Sequence, residues 1–213
     1  MNRYLTELIG TFFLVLTVGL TVLGGTPLAP LAIGSALMVM VYMGGHISGG
    51  HYNPAVTVAV RLRGAMAPAD FVPYIVAQLV GAILAGFATA HMMGDALTVA
   101  PGADAGMVAV LLAEFLFTFA LCLVVLNTAT ADETSGNSYF GLAIGFTVMV
   151  GAFAAGGVSG GAFNPAVGTG PILVDAIVGG GGFGNLWIYW VAPVLGGVAA
   201  AWVFAFQHPA AAE

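Results

Sequence analysis

The polar residues that stand out in this sequence are two asparagines set in nearly the same ten-residue context. Residues 47–56 read ISGGHYNPAV and residues 158–167 read VSGGAFNPAV, so the two motifs stand 111 positions apart in a chain of 213 residues. Asparagine supplies hydrogen-bond donors and an acceptor, but no nucleophile. The candidate functional residues are Asn53, Pro54, Ala55, Asn164, Pro165 and Ala166.

Composition restricts the solvent in which these motifs can act. Only 6% of the residues are charged, 60% are hydrophobic, and lysine is absent. A soluble domain carries about 25% charged residues, so this chain cannot cover a water-facing surface and we expect a protein of the lipid bilayer. Since the sequence shows no nucleophile arrangement, metal-ligand cluster or phosphate-binding loop, we expect no enzyme activity, no metal, no cofactor and no nucleic-acid partner.

Apolar segments long enough to span a bilayer, about 20 residues, are predicted at 4–24, 30–45, 71–93, 107–127, 138–158 and 185–206. Two further apolar segments, 53–61 and 164–174, are too short to span, and each begins at an Asn-Pro. Proline is tolerated in the first turn of a helix. Short interrupted segments at matching places in two halves of a chain are typical of half-helices that meet at the midplane.

A wider repeat surrounds the two motifs. The segment ELIGTFFLVL at 7–16 resembles EFLFTFALCL at 114–123, and YIVAQLVGAILAG at 74–86 resembles YWVAPVLGGVAAA at 189–201. Each half therefore has three spans, and an odd number of spans inverts the second half relative to the first. The predicted fold is an all-α membrane protein with six transmembrane helices and two half-helices, in one domain over 1–213 with repeats at about 1–93 and 107–206.

Orientation is predicted from the basic residues, which are Arg3, Arg61 and Arg63 alone. The positive-inside rule places the N-terminus and the segment after the first half-helix on the cytoplasmic side. With six spans the C-terminus faces the same side. We expect a multi-pass protein of a cell (plasma) membrane.

These residues resemble the aquaporin, or major intrinsic protein, family over nearly the whole chain, and the wording is most similar to the plant vacuolar-membrane aquaporins. The resemblance rests on the glutamate-led first span, GGHISGGHYNPAVTVA, YIVAQLVGA and FNPAVGTGP. It implies a passive channel in the bilayer, assembled as a homotetramer with one pore in each subunit. Two positive half-helix ends and the amides of Asn53 and Asn164 would then orient water and exclude protons and cations, as described for aquaporin pores. Ordinary helix capping is the plainer interpretation of the two asparagines.

Two glutamates, Glu7 and Glu114, occupy equivalent positions within spans. An ionisable residue in a span indicates function by default, and such residues carry protons in coupled transporters. The resemblance implies instead that each carboxylate supports the loop before a half-helix. It also implies that His46 and His51 hold the first loop and line the cytoplasmic vestibule.

The selectivity constriction of the family falls, by resemblance, at Ile33, Ala152, Gly161 and Val167. Most members carry arginine at the last position, where this chain has valine. Without the charge and fixed donors of arginine, we expect an apolar ring that passes water and small uncharged solutes of the glycerol, urea or ammonia class. The alternatives are a strict water channel, an ion-coupled secondary transporter and a scaffold without a pore; plain packing is the alternative role for Ile33.

Overall fold

The computed structural model describes residues 1–209, and this part of the chain contains helices and no strand. The channel domain predicted over 1–213 therefore has its last four residues, 210–213, outside the described part. The eight α-helices are α1 (Asn2–Leu23), α2 (Ala29–Ser48), α3 (Pro54–Arg63), α4 (Pro68–Met93), α5 (Met107–Val125), α6 (Phe140–Ser159), α7 (Pro165–Val174) and α8 (Ile188–Gln207). Wider π-helical turns, Leu126–Thr130 and Asp175–Gly179, extend α5 and α7, and a short 3₁₀ turn covers Asp132–Thr134.

Six of these helices, with the turn after α5 included, are 20 to 26 residues long and apolar enough to span a membrane. They confirm the six predicted spans. The bounds differ by at most three residues, as in α2, which was predicted to end at 45 and continues to Ser48. Gly44 in its last turns leaves room for Tyr52, whose hydroxyl a Cβ at that position would strike.

The two half-helices begin at the Asn-Pro motifs for a local reason. Asn53 is extended, with φ −157°, and its side-chain oxygen accepts a hydrogen bond from the Ala55 N–H. Asn164 does the same for Ala166, with φ −160°. Each asparagine is thus an N-cap followed by proline, which suits the first helical position. Ten residues at 1.5 Å each give about 15 Å, half the thickness of a bilayer core.

Packing interlocks the two halves of the chain. Within each half the first span packs on the third, α1 on α4 and α5 on α8. Each half-helix packs mainly on the third span of the opposite half, α3 on α8 and α7 on α4. The intra-half contacts are close, because a Cβ added at Gly81 would strike the Leu8 carbonyl oxygen and one at Gly196 that of Phe115.

The two halves also meet directly along α2 and α6. Gly34 and Gly145 face one another at this crossing, and a Cβ on either would strike the other's carbonyl oxygen. Small residues that let backbones approach are the usual basis of helix association in lipid, where no hydrophobic force acts between spans.

Candidate pore

The two asparagines lie at the point where α3 and α7 meet end to end. The Asn53 side-chain amide donates to the carbonyl oxygen of Phe163 at 2.9 Å, and the Asn164 amide donates to that of Tyr52, also at 2.9 Å. Each amide group has two N–H donors, so each retains a second N–H beyond the one in the crossed bond. The structure therefore brings the two Asn-Pro-Ala motifs together through these crossed bonds.

The loops before the half-helices have matching backbone conformations. Gly49 and Gly50 have φ of +89° and +62°, and Gly160 and Gly161 have +88° and +65°. Tyr52 and Phe163 also adopt positive φ, +47° and +48°, a conformation that costs a residue with a Cβ about 1–2 kcal/mol. A loop in this conformation persists only where surrounding groups hold it. Here the hydrogen bonds to two buried glutamates, Glu7 and Glu114, surround the loops.

Glu7 contacts the first loop. Its carboxylate is fully buried and accepts four hydrogen bonds: from Ser48 Oγ (2.7 Å) and the His51 N–H (3.0 Å) on Oε1, and from the Tyr52 N–H (2.7 Å) and Gln78 Nε2 (2.8 Å) on Oε2.

Glu114, also fully buried, occupies the equivalent place in the second loop with one donor fewer. It accepts from Ser159 Oγ (2.7 Å) and the Ala162 N–H (3.0 Å) on Oε1, and from the Phe163 N–H (2.7 Å) on Oε2. The repeat places Pro193 where the first half has Gln78, and proline has no such donor. Both carboxylates thus accept hydrogen bonds from the loops, and neither lines the cavity described below.

Further side chains complete these supports, and sequence reasoning assigned them no role. Tyr74 donates its hydroxyl to the Ser48 carbonyl at 2.8 Å, and Tyr189 donates to that of Ser159 at 2.7 Å. The alignment of Tyr74 with Tyr189 was the signal that could have identified the pair. Gln78 has no counterpart, so no repeat marked it.

The two histidines of the first loop lie in different environments. His51 is buried, lines the cavity, and has Nδ1 3.1 Å from Thr57 Oγ1. His46 is exposed and makes no side-chain hydrogen bond within residues 1–209, so the structure does not bring it into the loop support. The reason is helical geometry: two residues turn a helix by about 200°, so His46 lies across α2 from the buried Ser48.

A cavity of about 400 Å³ lies between the helices and reaches both asparagines. All four positions expected at the constriction, Ile33, Ala152, Gly161 and Val167, line it. So does Val56, the counterpart of Val167 on α3. No Asp, Glu, Lys or Arg of the described residues lines this cavity. Its wall is therefore apolar, with polar atoms from the asparagines, His51 and the loop backbones.

One part of the cavity wall was not predicted from the sequence. The segment Leu97–Ala100, in the connection between α4 and α5, lines the cavity beside the Gly160–Gly161 turn. It has no helical or repeat pattern, and nothing in its composition indicates a place at the pore.

A membrane-spanning helical protein with two half-helices capped by paired asparagines at a neutral cavity has the architecture of a channel. Comparison with known proteins identifies which kind. Residues 1–204 match the family described as "MIP: Major intrinsic protein". The chain belongs to this family, and it is accordingly a passive channel and not an enzyme.

Individual related proteins agree with this family assignment. The chain is 38% identical to "Glycerol uptake facilitator protein-like 6" of Lactiplantibacillus plantarum, covering 94% of this chain and 95% of that one. It is 36% identical to "Aquaporin NIP1-1" of Zea mays, covering 96% of this chain and 74% of that one. It is also 36% identical to "Nodulin-26" of Glycine max, covering 96% of this chain and 77% of that one. These plant relatives include NIP-type aquaporins, which corrects the likeness to vacuolar-membrane aquaporins that the wording suggested.

A solved structure shows the same fold. The aquaglyceroporin from Plasmodium falciparum superposes with a TM-score of 0.82 at 20% identity, covering 95% of this chain and 94% of that one. At this identity the likeness supports the fold alone.

Proposed function

We propose that this protein is a channel for water together with small uncharged solutes of the glycerol, urea or ammonia class, and that Ile33, Ala152, Gly161 and Val167 form its selectivity constriction. One observation carries the proposal: these four positions line a single cavity, and none of them bears a charge. An arginine at Val167 would occupy that space with a cation and fixed donors; valine leaves an apolar opening.

The relatives are consistent with this solute class. One bears the name of a glycerol uptake facilitator and matches over nearly its full length. Glycerol carries a hydrocarbon face as well as hydroxyls, so an apolar wall beside backbone carbonyls suits it better than a fully polar wall does. Protons and cations are excluded at the meeting point of the half-helices, where two positive helix ends and the free N–H groups of Asn53 and Asn164 face the permeating molecule.

A strict water channel is the main alternative, and the ring composition argues against it. An ion-coupled transporter is disfavoured because the two intramembrane glutamates do not reach the cavity. Each accepts three or four hydrogen bonds and is fully buried. A carboxylate that carried an ion would need access to the pathway.

The remaining expectations about assembly and location form part of the proposal. We propose one channel domain over 1–213 with repeats at about 1–93 and 107–206, a homotetramer with one pore per subunit, cytoplasmic N- and C-termini, and a cell (plasma) membrane as the location. The roles of Glu7, Glu114 and His51 in supporting the loops belong to it as well. Large exposed apolar side chains such as Phe153, Trp202 and Phe206 suit contact with lipid or neighbouring subunits.

Flux into proteoliposomes tests the proposal. Light scattering after an osmotic step gives water permeability, and swelling in glycerol or urea gives solute permeability. The proposal predicts solute rates that rise linearly with concentration and do not change with a sodium or proton gradient. Saturating, gradient-dependent uptake would identify a transporter, and water flux alone would identify a strict water channel.

A further inference from the structure

Asp175 is a buried acid that the channel mechanism leaves unexplained. It follows α7 directly, begins the π-helical turn Asp175–Gly179, and is 7% exposed. The C-terminal end of a helix carries partial negative charge, so a carboxylate is unfavourable there on local grounds. A buried charge is retained only where partners satisfy it, so the contacts of this carboxylate indicate its role.

The hydrogen-bonding partner of the carboxylate lies in another part of the chain. Asp175 Oδ2 accepts a hydrogen bond from Thr98 Oγ1 at 2.9 Å. The glycine-rich turn after α7 closes around the same carboxylate, since a Cβ added at Gly179 or Gly181 would strike its oxygens. The side chain is thus aimed at Thr98 in a space with little freedom.

Thr98 belongs to the segment Leu97–Ala100, which lines the cavity. Two residues beyond this segment the backbone is bonded to α6, since the Gly102 N–H donates to the Val158 carbonyl at 3.0 Å. The Ala100 carbonyl oxygen packs against Gly160, and a Cβ added at Gly160 would lie only 2.8 Å from that oxygen. The segment is therefore fixed at two places, one to α6 and one to the end of α7.

The element that carries Asp175 also carries Val167. Eight residues separate them, about 12 Å along a helix. One rigid half-helix thus places the valine of the constriction and, through Asp175, the segment that forms another wall of the same cavity.

We propose that Asp175 is a positioning residue for the pore mouth: by accepting the hydrogen bond from Thr98 it holds the segment Leu97–Ala100 as a wall of the selectivity region. This inference rests on the proposed solute channel for its effect on permeation. Without the bond, the segment moves into the opening, and the larger solute is hindered first. The glycerol-to-water permeability ratio therefore depends on a pair of residues outside the four-residue ring.

The test compares Asp175→Ala with Asp175→Asn, which keeps an acceptor oxygen, and with Thr98→Val, which keeps the shape but removes the hydroxyl. We expect Asp175→Ala and Thr98→Val to lower the glycerol-to-water ratio equally, the double variant to add nothing, and Asp175→Asn to stay near wild type. Asp104→Ala is the matched control, since Asp104 is exposed in the same connection. A loss of folded channels lowers both permeabilities together and leaves the ratio unchanged. With the water permeability kept near that of wild type, an unchanged or raised ratio overturns the inference, as does an Asn variant that behaves like the Ala variant.

A second readout does not require solute flux. Val99, buried at the cavity wall, is replaced by cysteine, and its reaction with a water-soluble thiol reagent is followed in purified protein. Losing the hydrogen bond from Thr98 should raise the labelling rate roughly tenfold in the Asp175→Ala background, and not in Asp175→Asn, which keeps an acceptor oxygen, or in Asp104→Ala. Equal labelling rates in all backgrounds would show that Asp175 does not hold the segment Leu97–Ala100 in place. A wild type that passes water alone would contradict the proposed solute channel. The labelling rates would still show whether Asp175 holds the segment Leu97–Ala100.

Discussion

Asn53 and Asn164 each hold the loop that precedes the other. The side-chain amide of one donates at 2.9 Å to the carbonyl oxygen of the residue just before the other, and the reverse bond has the same length. These reciprocal bonds join two half-helices that come from opposite halves of the chain. The site where water and solutes would be oriented is therefore also a junction that stabilises the fold.

Replacing Asn164 with alanine should destabilise the protein as well as impair permeation. The change removes the N-cap acceptor for the Ala166 N–H, a loss of about 1 kcal/mol, together with the bond to the Tyr52 carbonyl. We expect a lower unfolding temperature in detergent and a lower water permeability. Asn185→Ala is the control, because the Asn185 side chain makes no hydrogen bond with the described residues. An Asn164→Ala protein that melts with wild type would contradict the structural role of the crossed bonds.

The two loop-supporting glutamates should differ in their tolerance of an amide. In Glu114→Gln the amide oxygen can keep the two donors on Oε1, so the new NH₂ group opposes only the Phe163 N–H. In Glu7→Gln each orientation sets the NH₂ group against one backbone N–H, and also against Ser48 Oγ or Gln78 Nε2, which must turn its hydroxyl or amide before it can accept. Each unpaired buried donor costs about 1–3 kcal/mol, so Glu7→Gln should lower the unfolding temperature more.

The matched control for this comparison is Glu133→Gln, since the Glu133 side chain is 69% exposed. We expect it to leave the unfolding temperature unchanged. Equal effects at Glu7 and Glu114, or a larger one at Glu114, would show that the count of hydrogen-bond donors does not set the stability of the loops.

The α2–α6 crossing should not tolerate a larger residue. Gly34→Val places a branched side chain against the Gly145 carbonyl and the backbone of Met149, which forces the two helices apart. Overpacking of this kind typically costs about 1–3 kcal/mol. Gly106→Ala is the comparison, because a Cβ there meets no atom of the described residues within 4 Å. Yield and monodispersity in size-exclusion chromatography measure the outcome, and a well-folded Gly34→Val protein would contradict the close approach.

Mercuric chloride should leave the wild-type pore open. The one thiol, Cys122, is fully buried on α5 and is not among the cavity-lining residues. Val167→Cys should make permeation sensitive to mercury, reversibly on adding a thiol, because Val167 lines the cavity. If Val167→Cys stays insensitive while the reagent is shown to reach the vesicle interior, Val167 does not face the pathway.

The sequence was sufficient for the spans, the half-helices and the paired motifs. Hydropathy over about 20 residues and the Asn-Pro starts are local signals, and the repeat gave the pairing of Glu7 with Glu114. The crossed bonds of Asn53 and Asn164 were not predicted, because the expected use of the amides was toward the pore and not toward the opposite backbone.

What the sequence did not reveal depends on contacts without a repeat. Gln78 aligns with a proline, so symmetry gave no reason to join it to Glu7. The segment Leu97–Ala100 has no periodic pattern, and only its contacts with α6 and Asp175 place it at the cavity. The resemblance named His46 together with His51, and the turn of α2 places the His46 side chain exposed and opposite Ser48.

The valine at position 167 is proposed to make the pore open to small solutes. The most direct test measures water, glycerol and urea permeability in proteoliposomes containing wild type, Val167→Arg and Val167→Met, the last of which adds bulk without charge. We predict that wild type passes all three, that Val167→Arg keeps water and loses both solutes, and that Val167→Met retains part of the glycerol flux. A wild type that passes water alone, or an arginine variant that passes glycerol and urea as wild type does, would contradict the account.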